Sequence, residues 1–269
     1  MLGSSRESLT TLLNSVAGRS GDEGFAQAAG DLLSVASVIS GDKALRTALV
    51  DGGQSVDSRA ALVRDLFGAR INAVATDILV AATAARWSDD NDIVEAIEAA
   101  AATIVFTTAE ARGELDRVEE EIFLFARAVE ANPELQMALT NPAATSEAKS
   151  ALVADLVSAR AAEGSAQLLS HVAANLRGRR ADVALRQLSE IAAAKRDRIV
   201  AEVRVAIALT PDQSQRLAAV LGRLAGRNVS LNVVVDPSVI GGVSVRLGDD
   251  VIDGSIRTRL DQARRILVG

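Results

Sequence analysis

The sequence predicts a mostly α-helical protein, with an N-terminal helical bundle or bundles built from a duplicated helical unit and a small C-terminal α/β domain. Three observations support this fold class. Hydrophobic residues make up 49% of the 269 residues but aromatic residues only 2%, a composition that favours close-packed helices. An internal repeat runs through the first 200 residues. Near residue 198 the spacing of apolar residues changes from helical to alternating, which indicates strands.

The repeat has a period of about 90 residues. Apolar residues of the first copy recur in the second copy, and so do the polar residues that would cap or begin helices. Two similar helical units are therefore expected, residues 1–94 and 95–197. The matched pairs include Leu45 and Leu135, Leu49 and Leu139, Leu62 and Leu152, Asp42 and Asn132, and Ser55 and Thr145.

The second unit predicts a long helix and then a short one. Residues 108–131 carry apolar side chains at three-and-four spacing, which is typical of one amphipathic helix. Asn132–Pro133 then predicts the cap and first residue of a short helix, which Asn141–Pro142 ends. Helices of about 12 to 15 residues are marginal alone in water. We therefore expect them to pack together as a bundle.

Residues 198–269 predict the order strand, helix, strand, strand, helix. In the first strand, Val203, Val205, Ile207 and Leu209 would point to one side. A capping box at Thr210–Gln213 would begin the helix and Gly226 would end it. The apolar residues expected to face inward from this helix are Leu217, Val220, Leu221 and Leu224. The later elements are strands over residues 229–235, 243–247 and 251–252 and an amphipathic helix over 256–267.

Familiar signatures of chemistry are missing from the sequence. It contains no nucleotide-binding glycine loop, no HExxH helix, no cysteine and only one histidine, His171, which we interpret as an ordinary surface or interface residue. We therefore expect no catalytic residue, no metal ion and no cofactor. The net charge of −6, with both signs interspersed, argues against nucleic acid. No stretch reaches the roughly 18 apolar residues of a membrane span, so membrane association would go through partners.

A run from Val235 to Leu260 combines a glycine pair, a Gly-Asp turn and an Asp-Gly-Ser-Ile-Arg helix start at fixed spacing. This run closely resembles the C-terminal signature of ATP synthase delta subunits, the family that includes the oligomycin sensitivity-conferring protein. The glycines permit backbone conformations denied to other residues, and Asp253 or Ser255 can cap the last helix. The signature residues, all structural, are Asp236, Pro237, Gly241, Gly242, Gly248, Asp249, Ile252, Asp253, Gly254, Ser255, Arg257 and Leu260.

The resemblance covers residues 95–268, and the extra N-terminal unit looks like the longer delta subunits of actinobacteria. It implies a non-catalytic peripheral-stalk subunit of F-type ATP synthase at the cytoplasmic side of the cell membrane. Such a stator subunit connects the catalytic alpha/beta head to a membrane-anchored b-type stalk, so that proton-driven rotation is coupled to ATP synthesis. The implied partners are the N-terminal helices of the alpha subunits and a separate b-type stalk subunit, and the resemblance allows contacts with beta subunits.

The resemblance also implies that the helical bundle binds the alpha-subunit helices in a groove. The residues that would line it are Ile97, Ala101, Ile104, Val105, Leu168, Leu169, Val172 and Leu176. The same side chains are equally suited to the core of the bundle, and the residues alone leave both interpretations open. Two other functions also stay open on the residues alone: a helical-repeat adaptor of another complex, and a small-molecule enzyme with its site near residue 198.

Overall fold

A computed structural model describes residues 3–157, 161–196, 198–226, 228–236, 242–247 and 250–253. The chain divides into two compact units, Met1–Lys195 and Arg196–Gly269. The described part of the first unit is helical, and that of the second contains a sheet and a helix. The predicted fold class, mostly α with a small C-terminal α/β part, is confirmed.

Eleven helices follow one another in the described residues of the chain up to Arg196. They are α1 (Ser4–Ala17), α2 (Phe25–Gly41), α3 (Lys43–Val50), α4 (Val56–Phe67), α5 (Ala73–Ala84), α6 (Asp92–Ala111), α7 (Leu115–Ala131), α8 (Pro133–Thr140), α9 (Ser146–Val157), α10 (Glu163–Ala174) and α11 (Ala181–Arg196).

The start and end residues of these helices show the predicted repeat. Helices α2, α3, α4 and α5 recur as α7, α8, α9 and α10, and each pair is offset by 90 residues at both ends. Each copy of the repeat contains six helices, and we call each copy a helical series. Helix α6 is the last helix of the first series and also the first helix of the second, where it takes the position that α1 has in the first. The two series, α1–α6 and α6–α11, therefore share one helix, which the sequence comparison did not predict.

Side-chain caps begin several helices where the sequence predicts them. The Asp42 carboxylate accepts a hydrogen bond from the backbone N–H of Leu45 at 3.0 Å and begins α3. The Asn132 side chain accepts one from Leu135 at 3.1 Å and begins α8. Each cap of this kind stabilises a helix by about 1 kcal/mol. The repeat therefore extends to the hydrogen bonds that set the helix starts.

The prediction of one helix over residues 108–131 is wrong at its N-terminal end. Residues up to Ala111 belong to α6, and α7 begins at Leu115. Between them Gly113 has a φ of 70°, in the left-handed region that favours glycine. The N–H of Glu114 donates to the carbonyl of Ala109 at 2.8 Å, which closes the end of α6. Gly113 is therefore a signal in the sequence for the break between α6 and α7.

One continuous cluster of buried apolar residues includes side chains from both helical series. The most extensively buried of the described helices is α6, in which 15 of 20 residues are buried. It packs against α1, α2, α5, α7 and α10. The side chain of Phe106, on α6, is fully buried. Both series therefore depend on α6 for their packing.

The described part of the second unit contains a four-stranded sheet in the order β2-β1-β3-β4. Strand β1 is parallel to β2 and antiparallel to β3, and β3 is antiparallel to β4. The predicted capping box of Thr210 and Gln213 begins α12, and Gly226, with a φ of 65°, ends it. The elements are β1 (Arg198–Val205), α12 (Pro211–Ala225), β2 (Asn228–Val235), β3 (Val243–Leu247) and β4 (Asp250–Asp253).

Three residues expected to face the core of this unit are exposed instead. Strand β1 ends at Val205, which is buried, and Ile207 lies beyond it in solvent. On α12, Leu221 is buried, but Val220 and Leu224 are exposed. Residues 220 and 224 are one turn apart and lie to one side of Leu221, because successive residues turn by about 100° around a helix. The face that α12 buries is therefore narrower than its apolar stripe.

Candidate partner-binding surface

The eight residues predicted to line a groove lie on α6, on α10 and just after α10, and the fold brings them together in the core. Seven of them are buried, and Val172 is partly buried. In the chain by itself they are therefore core residues, which is one of the two interpretations that the sequence left open. Their use by a partner stays a prediction.

Helix α2 covers this part of the core. It packs along α6. At Gly30 it lies so close to α10 that an added Cβ would be 3.0 Å from Nε2 of Gln167. Ala26 of α2 also shares with Val105 of α6 and Gly164 of α10 the lining of a pocket of about 170 Å³. An amphipathic helix of the chain itself thus lies against the helix pair that was predicted to bind one.

The burial of α2 is too extensive for easy displacement. Its buried residues include five with large apolar side chains. Full burial stabilises each such side chain by about 1.5–3 kcal/mol, so the five together contribute on the order of 10 kcal/mol. A nanomolar complex has a binding free energy of only about 12 kcal/mol. A partner helix that had to displace α2 would therefore lose most of its affinity. The five residues are Phe25, Leu32, Leu33, Val35 and Ile39.

Gly164 allows the close approach of α10 to α6. A Cβ built at Gly164 would lie 2.5 Å from Cγ1 of Val105. Valine in a helix has one strongly preferred rotamer, so Val105 cannot easily turn away. We expect Gly164→Ala to lower the free energy of unfolding by about 1–3 kcal/mol, measured by urea denaturation followed by circular dichroism.

The control for Gly164→Ala is Gly41→Ala at the end of α2, where a Cβ would meet nothing within 4 Å. This variant should be as stable as the original chain or slightly more stable. Combining Gly164→Ala with Val105→Ala should cost less than the sum of the two single changes, because the smaller side chain removes the clash. Strict additivity would contradict the proposed clash.

A partly buried ionic cluster joins α6 to the loop after α10. The Glu98 carboxylate accepts hydrogen bonds from both terminal nitrogens of Arg177, with 2.7 Å between Nη2 and Oε2. It accepts another from Nε2 of His171 at 3.0 Å, and Nη2 of Arg179 lies 3.6 Å from Oε2 of Glu98. Arg177 has a φ of 50° and is the only non-glycine residue in the described chain with a positive φ. The cluster therefore holds the loop in a conformation that is unfavourable for arginine.

Two opposing effects set the pKa of Glu98. Burial disfavours the charged carboxylate and would raise the pKa. Hydrogen bonds from Arg177 and His171, together with their charges, outweigh burial and lower the pKa from 4.5 to about 2. The carboxylate is therefore ionised throughout the neutral range. His171, the single histidine, has a structural role here as a partner of Glu98.

The most exposed large apolar side chains in the described helical unit lie on α7 and α8. Phe123 and Leu124 on α7 are each 57% exposed, and Met137 on α8 is 64% exposed. Helices α7 and α8 pack against each other. Exposed aromatic and methionine side chains of this kind are enriched at protein interfaces.

The second unit also exposes large apolar side chains. Ile207 and Leu224 are the most exposed of them, and Val234 and Val235 are exposed on β2. Strand β2 is an edge of the described sheet, and edge strands offer backbone groups for pairing with another chain. The exposed apolar side chains and this strand edge are therefore both suited to contact with a partner.

Four of the twelve signature residues lie in the described chain. The backbone N–H of Asp236 donates to the carbonyl of Val205 at 2.8 Å, which extends the pairing of β2 with β1. Gly242 has a φ of 84°, so glycine is needed there, and Ile252 and Asp253 lie in β4. The predicted last helix, residues 256–267, lies outside the described residues, as do Pro237, Gly241, Gly248, Asp249, Gly254, Ser255, Arg257 and Leu260.

The described residues contain no group of three or more His, Cys, Asp or Glu side chains placed to hold a metal ion. Within the same part of the chain, every helix is too short or too polar to cross a membrane. Extensive helix-on-helix packing and exposed apolar side chains define the class of protein: a helical protein-interaction module with an attached α/β unit.

Comparison with known proteins identifies the family. The family described as ATP synthase delta (OSCP) subunit matches residues 97–267. The ATP synthase subunit delta of Streptomyces coelicolor is 39% identical over 266 residues, 99% of this chain and 95% of that protein. The ATP synthase subunit delta of Streptomyces avermitilis is 41% identical over 239 residues, 89% of this chain and 88% of that protein. That of Parafrankia sp. is 43% identical over 237 residues, 88% of this chain and 85% of that protein. The chain belongs to the ATP synthase delta (OSCP) subunit family.

This membership confirms the resemblance found in the sequence, and the match extends through the N-terminal helical unit. The delta subunit is a component of the peripheral stalk of ATP synthase, a structural stator subunit and not the catalytic one. The chain therefore acts as a connector within the synthase complex, in agreement with the predicted function.

Proposed function

We propose that the helical unit binds the N-terminal helices of the alpha subunits, and that the C-terminal unit binds a b-type stalk subunit. The assembly would lie at the cytoplasmic side of the cell membrane, with the beta subunits as a further contact. The observation that carries this proposal is the match of residues 97–267 to the ATP synthase delta (OSCP) subunit family. The large apolar side chains that both units expose support it, because such side chains are enriched at protein interfaces.

The proposed mechanism is mechanical. Rotation of the central rotor exerts torque on the catalytic head, and the connector transmits the opposing force to the stalk. Such a joint needs slow dissociation, which an interface of about 1,600 Å² provides only when its centre is apolar and well packed. The exposed apolar side chains of both units support this role. We propose residues 1–94, 95–197 and 198–269 as its divisions, with the first two sharing α6.

A binding measurement tests the first part of the proposal. A fluorescent peptide with the sequence of the alpha-subunit N-terminal helix should bind the full chain with a dissociation constant below about 1 µM, measured by anisotropy. The control peptide carries aspartate at each apolar position of its stripe and should not bind. Absence of binding by the first peptide, or equal binding by both peptides, would contradict helix recognition.

A further inference from the structure

We propose that Arg59, near the start of α4, binds a carboxylate of an alpha-subunit N-terminal segment. The inference rests on the proposed function, which brings that segment to the helical unit. It adds a polar contact in the first helical series to those proposed for α6 and α10, and does not replace them. Three observations support it: the burial of Arg59 without a partner, its place at the start of a helix, and a difference between the two series.

Arg59 is a buried arginine. It is 8% exposed and continues the buried row that Val63 and Phe67 form along α4. Its Nε is buried and has no hydrogen-bond partner, and its guanidinium makes no ion pair with any described residue. Burying a cation without a partner is costly, so buried arginines are normally paired. The described chain by itself therefore leaves this charge uncompensated.

The place of Arg59 on α4 favours an anion as its partner. Arg59 is the fourth residue of the helix, one turn after the Ser55 cap, whose side chain accepts from the N–H of Ser58 at 3.1 Å. Long side chains on a helix lean toward its N-terminus, which directs the guanidinium toward the first turn. The N–H groups of a first turn also attract negative charge. An arginine directed at a helix start suits the two oxygens of one carboxylate.

The second series supplies an anion to the equivalent helix start from its own chain. Helix α9 begins at the Thr145 cap, and Lys149, which is partly buried, takes the position of Arg59. The Glu147 carboxylate accepts hydrogen bonds from its own backbone N–H and from the side chain of Thr145, which lower its pKa. The equivalent residue of α4 is Asp57, which is one carbon shorter and makes no hydrogen bond through its carboxylate within the described chain. Helix α4 therefore leaves this role to a partner.

A protein carboxylate fits Arg59 better than a phosphate group does. One guanidinium and one helix start balance a single negative charge, whereas a phosphate group carries up to two. Asp57 is exposed on the same turn, and its charge repels a doubly charged group more strongly than a singly charged one. The partners that the proposed function supplies are proteins. Inorganic phosphate is the alternative ligand that the experiment must separate.

The test measures binding of the full chain to the purified catalytic alpha/beta head by biolayer interferometry. Arg59→Met keeps an unbranched apolar side chain and removes the charge, and it should weaken binding about tenfold or more. Arg59→Lys keeps the charge without the planar fork and should have an intermediate affinity. The control is Arg64→Met, which removes an exposed arginine from the same helix and should change affinity less than about twofold. Equal binding by Arg59→Met and the original chain would overturn the proposal.

A double-mutant cycle identifies the carboxylate. Acidic side chains of the alpha-subunit N-terminal segment are replaced by amides one at a time in the head. One replacement should weaken binding of the original chain and leave binding of the Arg59→Met chain unchanged. If every replacement affects both chains equally, Arg59 does not bind a carboxylate of this segment.

The stability of the isolated chain separates this role from a structural one. Arg59→Met should raise the midpoint of urea unfolding or leave it unchanged, because it removes an unpaired buried charge. A lower midpoint would show that Arg59 stabilises the chain itself and would overturn the proposal. A phosphate-specific rise in the midpoint of the original chain, relative to chloride at equal ionic strength and absent in Arg59→Met, would also overturn it. If the original chain fails to bind the head at all, the proposed function itself fails.

Discussion

Replacing Phe106 with alanine is expected to lower the free energy of unfolding of the helical unit by about 3–5 kcal/mol. Phe106 is fully buried on α6, the helix that both series share, so the cavity would open in their common core. Trp87 is the only tryptophan and reports on the first series, whereas far-UV circular dichroism reports on all helices. In urea, both signals should shift together to lower denaturant concentration.

Phe123→Ala is the matched control for Phe106→Ala, because it makes the same change at an exposed position of the same unit. Its effect on stability should be within about 0.5 kcal/mol. Suppose instead that the Trp87 signal of the Phe106→Ala protein shifts alone, while part of the circular dichroism keeps its original midpoint. The two series would then unfold separately, and α6 would not couple them.

Replacing Glu98 with glutamine should cost about 3 kcal/mol of stability at pH 7. The variant keeps the size of the side chain but leaves Arg177 without its charged partner at a partly buried site. The pKa of Glu98 is about 2 in the folded protein and 4.5 as the ordinary value. A lowered pKa stabilises the fold at pH values above 4.5, and that contribution is lost as the pH falls from 4.5 toward 2.

The difference in stability between the original chain and Glu98→Gln should therefore shrink as the pH falls through this window. Urea denaturation at pH 7 and at pH 3 measures it. Glu23→Gln is the control, because Glu23 is exposed and makes no ion pair within the described chain. Its effect should be small at both pH values. A Glu98→Gln effect that stays constant from pH 7 to pH 3 would show that the ionised carboxylate is not what stabilises the cluster.

The burial of the predicted groove residues changes how the partner surface should be probed. Leu169 is 1% exposed and belongs to the core of the helical unit. An aspartate at this position would place an unpaired charge in that core and would unfold the chain. Loss of binding by such a variant would report on folding. Variants at exposed positions such as Phe123 report on binding itself.

The helix starts and the repeat could be predicted from the sequence because their causes are local. Asp42 and Asn132 cap helices through hydrogen bonds to residues only three positions away. The spacing of apolar residues depends on the turn of a helix, and the C-terminal signature also indicated the family. Gly113 carried a local signal as well, and the break before α7 could have been predicted from it.

The partners of these elements could not be read from the sequence. Glu98 forms hydrogen bonds with His171 and Arg177, which lie 73 and 79 residues further along the chain. No local sequence pattern encodes a contact between residues so far apart. The same limit applies to the groove, because an apolar stripe shows that a helix face must be covered and does not show by what.

The sequence by itself therefore determined the helices, the strands, the duplication and the family. Only the tertiary structure decided that α6 serves both series and that α2 covers the helix pair predicted for a partner. Burial of an apolar face has the same free-energy benefit whether the covering helix comes from the same chain or from another. Residues such as Ile97 and Ile104 would therefore show the same sequence pattern as core residues and as partner-binding residues. Only the packing shows that they are buried in the core of this chain.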